Sequence, residues 1–327
     1  MRCLAIIEES WPIRGSFTIS RGAKREAQVV VAQISEGGHS GRGECVPYGR
    51  YGETVASVRL QMEALTPEIE AGMSRTDLQR ACPAGAARNA LDCALWDLEA
   101  KQASTPVWQL AGLAPPRPCI TAYTLSLDAP EAMAHAAARA TEFPVLKLKL
   151  GAQAVVETIE AVHRAVPDAK LIVDANEAWD LPLLQQVSPR LKELNVVLIE
   201  QPLPAGMDDP LAGRDWPVPL CADESCHEAG GLASLRARYR LINIKLDKTG
   251  GLTGALALAR AAKEMGFGIM VGCMVSTSLA MAPAMLLAGL ADYVDLDGPL
   301  LLQRDREGGL RSETGGVLHP PEPALWG

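Results

Sequence analysis

The sequence predicts an α/β chain in which a barrel of alternating parallel strands and helices follows a smaller α+β unit. Three observations lead there. Short apolar runs recur near residues 120, 146, 172, 197, 220, 242, 270 and 293. Five of them end in a charged residue, and Lys149, Asp174, Glu200, Asp223 and Lys245 follow one another at intervals of 22 to 26 residues. That spacing suits a repeated strand, loop and helix. The chain has 327 residues, more than the roughly 200–250 of one barrel, which leaves room for a second unit. Charges at the C-terminal ends of successive parallel strands mark an active site on one face of such a barrel.

The first unit reads as strands and then helices. Met1–Glu8, Phe17–Ile19 and Ala27–Ile34 are apolar runs, with a charged turn, Ser20–Glu26, between the second and third. Glu36-Gly-Gly38 closes a hairpin into a strand at Gly41–Cys45. Thr54–Leu65 and Gly85–Gln102 have helical periodicity; in the second, Ala90, Leu91, Ala94, Leu95 and Leu98 share a face. Thr105-Pro106 opens a short helix, Val107–Ala111, which Gly112 ends. Leu113–Pro118 reads as a linker. The first unit is therefore set at 1–112 and the barrel at 113–300, and the polar segment 301–327 is expected to return to the first unit.

In the barrel, Cys119–Leu127 is the expected first strand. Gln153–Ala165, Gly254–Met265 and the Ala/Leu/Met-rich Leu279–Leu290 are expected helices. Lys248–Gly254 lacks the residue order of a phosphate loop and reads as the lead into a helix.

Composition narrows the function. Hydrophobic residues make up 48% of the chain, enough for a large core. A net charge of −8 without a basic cluster argues against nucleic acid and anionic membranes as partners. The apolar stretch at the N-terminus stops at Glu8-Glu9, too soon for a signal peptide. Leu279–Ala291 contains Pro283 and falls short of the ~20 residues of a membrane span. Eight scattered cysteines without a C-x-x-C, several in apolar runs as Cys3, Cys93 and Cys221 are, suggest reduced, mostly buried thiols in the cytoplasm.

Asp174, Glu200 and Asp223 on successive strand tips suit one hard divalent cation, with Mg²⁺ as the natural fit for oxygen ligands. None of the five histidines ends a strand, which argues against zinc. Strand-end acids can also merely cap the next helix, but three in succession are poorly explained that way. Lys149 and Lys245 end the second and sixth strands, which lie opposite each other in an eight-stranded barrel. A lysine that gives up its proton near neutral pH is a general base. Lys147 lies two residues from Lys149 and shares its face. Asp295 and Asp297 repeat the same two-residue spacing with negative charge and suit a cationic group such as an ammonium.

These motifs resemble the enolase superfamily, muconate-lactonizing subgroup, and within it the L-Ala-D/L-Glu dipeptide epimerases. The matching stretches are Lys147-Leu-Lys149, Asp174-Ala-Asn176, Glu200-Gln-Pro202, Ala222–Ser225, Asn243–Lys248 and Asp295-Leu-Asp297. The first unit adds Gly43-Glu-Cys45, Tyr51-Gly-Glu53 and Gly85–Asp92. The resemblance covers nearly the whole chain. It implies an enolase-like α/β architecture: an N-terminal α+β capping domain on a modified TIM barrel, (β/α)₇β.

It also implies that Asp174, Glu200 and Asp223 hold Mg²⁺, with Lys149 and Lys245 as the acid/base pair. Asp295 and Asp297 would bind the α-ammonium of a dipeptide and Lys147 would stabilise an enolate. Thr124, Asn176, Cys273 and Met274 join the expected substrate contacts. Relatives acting on a C-terminal Glu carry an arginine in the first charged turn; here that place falls to Lys24, with Arg25 beside it. Lysine keeps the charge and loses the bidentate fork. The resemblance further implies recycling of cell-wall (murein) peptides in the cytoplasm, a small dipeptide as partner, and leaves a homo-oligomer open. Alternatives are a cycloisomerase, an N-acylamino acid racemase or an o-succinylbenzoate synthase of the same subgroup, a metal-free Schiff-base aldolase, and a non-catalytic metal-binding barrel.

Overall fold

The computed structural model describes residues 1–327. A three-stranded antiparallel sheet, Cys3–Ile19, Gly22–Glu36 and His39–Cys45, opens the chain. Helices Val55–Ala64, Arg75–Ala81 and Ala86–Ala103 follow it. The last of these is buried on nearly every side because it lies between the sheet and the barrel. Ala90, Leu91 and Leu95 join the core of the first unit, while Cys93 and Trp96 join that of the barrel. The third strand packs so closely on this helix that a Cβ on Gly41 or Gly43 would stand 2.2 or 2.1 Å from the Ala94 or Ala90 carbonyl oxygen. Glycine serves there by lacking a side chain.

Two expectations for this sheet need correction. The runs Met1–Glu8 and Phe17–Ile19 are one strand, whose register against its neighbour shifts between Pro12 and Phe17. Gly15 takes a positive φ of 72° inside this bulge, and proline removes a ladder donor. The charged turn is also shorter than Ser20–Glu26. The chain reverses at Ser20-Arg21, and Lys24, Arg25 and Glu26 already lie in the second strand.

Eight parallel strands form the barrel: Tyr123–Leu125, Val145–Lys149, Lys170–Asp174, Val196–Glu200, Leu220–Ala222, Leu241–Ile244, Gly268–Gly272 and Tyr293–Asp295. They pair in chain order, and the Ala122 N–H donates to the Val294 carbonyl at 2.8 Å to join the first to the last. The expected first strand is broken. Cys119–Ile120 leaves the barrel and pairs with Val317–Leu318 near the C-terminus.

Strand alternation explains where the charges go. Ala122, Ile172, Leu198, Cys221, Leu241 and Met270 form an apolar layer inside the barrel. Two residues further along the same strands come Thr124, Asp174, Glu200, Asp223, Asn243 and Gly272. The charged tips thus face inward above a closed apolar floor. The alternate residues of each strand, such as Leu171 and Val173, face the outer helices instead.

The helical layer is less regular than a strict repeat. After the fourth strand there is only a 3₁₀ turn, Asp209–Leu211, in a stretch holding Pro202, Pro204, Pro210, Pro217 and Pro219. Each proline removes a backbone donor that a helix would use. The expected helix Leu279–Leu290 is α-helical over Ser278–Ala284 and 3₁₀ over Met285–Leu290, the change following Pro283.

The C-terminal segment touches the first unit at several points. The Gln303 N–H donates to Pro12 at 2.8 Å, Trp326 Nε1 to Cys93 at 3.0 Å and the Gly327 N–H to Asp97 at 2.7 Å. All eight cysteines are free and five are buried. Cys3, expected in the interior, is exposed because it begins an edge strand. No helix is long and apolar enough to cross a membrane.

Candidate active site

The barrel mouth opens into a cavity of about 830 Å³ between the strand tips and the first hairpin. Lys147, Lys149, Asp223, Lys245, Asp295 and Asp297 line its barrel side, and Phe17, Arg21, Lys24 and Tyr48 line the other. Thr124, Asn176, Cys273, Met274 and Arg25 also reach it. Asp174 and Glu200 lie just beneath, fully buried.

Register fixes the centre. Lys149 pairs with Asp174, and Asp174 with Glu200, at equal heights on three adjacent strands. Lys149 Nζ donates to Asp174 at 2.6 Å. Four strands round the barrel, Lys245 Nζ donates to Asp223 at 2.6 Å. Between them Lys147 Nζ stands 2.6 Å from Glu200, 2.7 Å from Asp295 and 3.3 Å from Asp174. Asp295 and Asp297 are distant from the other acids along the chain, but barrel closure joins Asp295 to them through Lys147, while Asp297 accepts from the Thr124 N–H.

Burial and charge set the protonation of these groups. Burial pulls the Lys147 and Lys245 ammoniums down, but the surrounding carboxylates, Asp295 for the first and Asp223 for the second, outweigh it and hold both well above the usual lysine range. Burial would raise Asp174, yet Lys149 and Lys147 hold it below the ordinary carboxylate range. Asp223 is held low in the same way by Lys245 and Lys248. Glu200 is pushed up to about 7 by burial and by the charge of Asp174. Asp297 is pushed up to about 7 by burial and by Asp295, although the Thr124 N–H donates to it at 2.6 Å.

The donor set fits a hard divalent cation. It is all oxygen, and Glu200 Oε2 has no hydrogen-bond donor, because Lys147 lies close to it but out of line. As they stand, the three carboxylates are each bridged to a lysine and do not converge on one point.

Several contacts escaped the sequence reading. Lys248 is buried beneath Asp223 and donates to its Oδ1 at 2.6 Å. Asn243 Nδ2 donates to Glu200 at 2.6 Å. Arg21, at the hairpin tip, donates to Glu224 at 2.8 Å, to the Asn176 carbonyl at 2.9 Å and to Tyr48 at 2.9 Å. Asn176 and Glu177 hold positive φ values of 45° and 67° to present that carbonyl. Both Lys248 and Asn243 stand in the quoted motif Asn243–Lys248, which was the available signal. Arg21 and Glu224 lie 203 residues apart, and no local pattern links them.

The hairpin separates Lys24 from Arg25. Neighbouring strand residues face opposite ways, and Lys24 is paired across the strands with Phe17. Lys149 Nζ lies 5.8 Å from the Phe17 ring, so that face looks toward the strand tips. Lys24 Nζ sits 5.4 Å from the Tyr48 ring and takes no carboxylate partner, whereas Arg21 and Arg50 are both paired to Glu177. Burial lowers the Lys24 pKa from its ordinary value.

Comparison with known proteins shows the family. Residues 1–112 match the family model described as the mandelate racemase / muconate lactonizing enzyme N-terminal domain. Residues 131–323 match the enolase C-terminal domain-like model. An L-Ala-D/L-Glu epimerase of Escherichia coli (strain K12) is 47% identical, over 96% of this chain and 99% of the relative. An N-acetyl-D-glutamate racemase of Pseudoalteromonas sp is 48% identical, over 91% and 95%. Among solved structures, an enolase family member from Agrobacterium tumefaciens with bound sodium and L-Ala-L-Glu superposes with a TM-score of 0.97 at 49% identity over 100% of both chains. A dipeptide epimerase from Enterococcus faecalis, complexed with Mg and L-Leu-L-Tyr, has a TM-score of 0.90 at 29% identity over 98% and 97%.

Proposed function

From a chain that belongs to the mandelate racemase / muconate lactonizing enzyme family of the enolase superfamily and is an isomerase, we propose an activity: epimerisation of the C-terminal residue of dipeptides, L-Ala-L-Glu and L-Ala-D-Glu first among them. The observation that carries this reading is the pair of lysines, Lys149 and Lys245, opposed across one carboxylate cluster. One removes the α-proton from one face and the other returns a proton to the opposite face, with no net redox change. Asp174, Glu200 and Asp223 are the residues that would hold Mg²⁺. When bound, the metal supplies Lewis-acid stabilisation for the charge that develops on the substrate carboxylate. Lys147, buried and firmly cationic, adds a fixed positive charge to the same place.

The two ends of the cavity account for the dipeptide. Asp295 and Asp297 are buried acids in contact with each other's field, and an ammonium would relieve the repulsion that raises Asp297. Thr124 fixes Asp297, and Cys273 and Met274 wall that end. At the other end Lys24 is a cation without an acidic partner, suited to the side-chain carboxylate of glutamate. Residues 1–112 then act as the cap, 113–300 as the catalytic barrel and 301–327 as the segment that ties them. A cytoplasmic role in recycling murein peptides fits such a substrate.

The relative that racemises N-acetyl-D-glutamate supports a second reading, racemisation of an N-acylated glutamate. Such substrates carry no ammonium, which leaves Asp295 and Asp297 without a charge to meet. Metal removal tests the core of the first reading. Chelation should abolish conversion of L-Ala-L-Glu to L-Ala-D-Glu and added Mg²⁺ should restore it; full activity in metal-free buffer would overturn the assignment.

A further inference from the structure

We propose that Lys248 is a positioning residue for the metal site, its buried ammonium fixing Asp223 directly and Glu200 through Asn243. This inference rests on the metal reading above. Lys248 follows the sixth strand in the short helix Leu246–Thr249, and its side chain is fully enclosed. All three ammonium protons are used. Nζ donates to Asp223 Oδ1 at 2.6 Å, to the Asp223 carbonyl at 2.6 Å and to the Asn243 carbonyl at 2.9 Å.

Each of these bonds constrains a ligand. The bond to Oδ1 occupies one carboxylate oxygen from below and turns Oδ2 toward Lys245 and the cavity. The two carbonyl bonds tie the end of the fifth strand to the sixth at the residue whose side chain, Asn243, donates to Glu200 Oε1 at 2.6 Å. Asn243 is held from behind as well, since a Cβ on Gly272 would stand 2.5 Å from its side-chain oxygen. One buried cation therefore sets the aim of two of the three acids. The third, Asp174, has its own local brace, the Asn176 N–H at 2.9 Å.

Two physical effects of Lys248 oppose each other, and this makes the inference testable. As a positive charge near a cation site it weakens metal binding by repulsion. As a brace it strengthens binding, because outer partners that orient metal ligands contribute about 10- to 100-fold in affinity. The brace is inferred to dominate.

The experiment is calorimetric titration of metal-free protein with MgCl₂, with circular dichroism to confirm folding. Wild type should bind one equivalent. Lys248→Met should bind about 10- to 100-fold more weakly despite the lost positive charge. Lys248→Gln, which keeps a donor, should fall between the two. Asn243→Ala leaves Lys248 in place and should weaken binding through the Glu200 arm, which keeps the test open if the buried lysine variants do not fold. Unchanged or tighter binding in folded Lys248→Met, or in Asn243→Ala, would overturn the inference. Absence of binding by wild type would instead overturn the metal reading itself.

Discussion

The charges at the barrel mouth and those on the capping hairpin are held in different ways. At the mouth, every acid and lysine is buried and tied to a strand whose register with its neighbours leaves no freedom of height. On the hairpin, Lys24 and Arg25 are exposed, and the tip is fastened to the barrel mainly by Arg21. The difference suggests a division of labour. Proton transfer requires fixed geometry within fractions of an ångström, which the barrel supplies. Choice of substrate side chain can be left to a cation on a flexible stem, reached across the cavity.

The comparison breaks most decisively at the lysines. Lys149→Ala and Lys245→Ala should each lower net epimerisation by about 10²- to 10⁴-fold. Each variant should still exchange the α-proton of one stereoisomer with solvent deuterium, because one lysine remains on one face. Near-wild-type epimerisation by either variant, followed by chiral chromatography, would show that the two are not opposed bases. Asp297→Asn probes the proposed ammonium end on the same rigid framework. Removing one partner of a buried charged contact should cost about 2–3 kcal/mol, roughly 30- to 150-fold in kcat/KM. The loss should fall on dipeptides with a free amino group and spare N-acetylglutamate; equal losses on both would favour the N-acylated substrate class.

The smallest effect is expected on the hairpin. Lys24→Ala should lower kcat/KM for L-Ala-L-Glu by roughly 2- to 5-fold, as suits an exposed ion contact of about 0.5–1 kcal/mol. L-Ala-L-Leu should be little changed, and Arg25→Ala should leave the preference for glutamate intact. If neither variant alters the ratio of the two substrates, the glutamate carboxylate is bound elsewhere.

The same contrast explains what could be read from the chain. Asp174, Glu200 and Asp223 were visible because parallel strands of similar length place their last inward residue at the same height, so spacing alone reveals them. Lys147 and Lys149 followed from the two-residue period. Thr124, Asn176, Cys273 and Met274 came from the family resemblance. Lys248 was hidden because a lysine four residues past a strand end looks like a solvated loop residue, and only the tertiary fold encloses it. The joining of Cys3–Ile19 into one strand depended on a bulge at Pro12–Phe17 that apolar runs do not encode. Arg21 was named only as part of a charged turn, since its partners Glu224 and Asn176 come from distant barrel loops. Local periodicity reports the barrel well; contacts between the hairpin and the barrel depend on packing that no short window contains.

The most direct test of the central claim is to incubate the protein with L-Ala-L-Glu and Mg²⁺ in D₂O and follow the dipeptide by mass spectrometry and proton NMR. The account predicts one deuterium at the α-carbon of the glutamate residue, none at the alanine, and accumulation of L-Ala-D-Glu. Deuterium at the alanine α-carbon, or no exchange at either carbon in metal-replete protein, would contradict it.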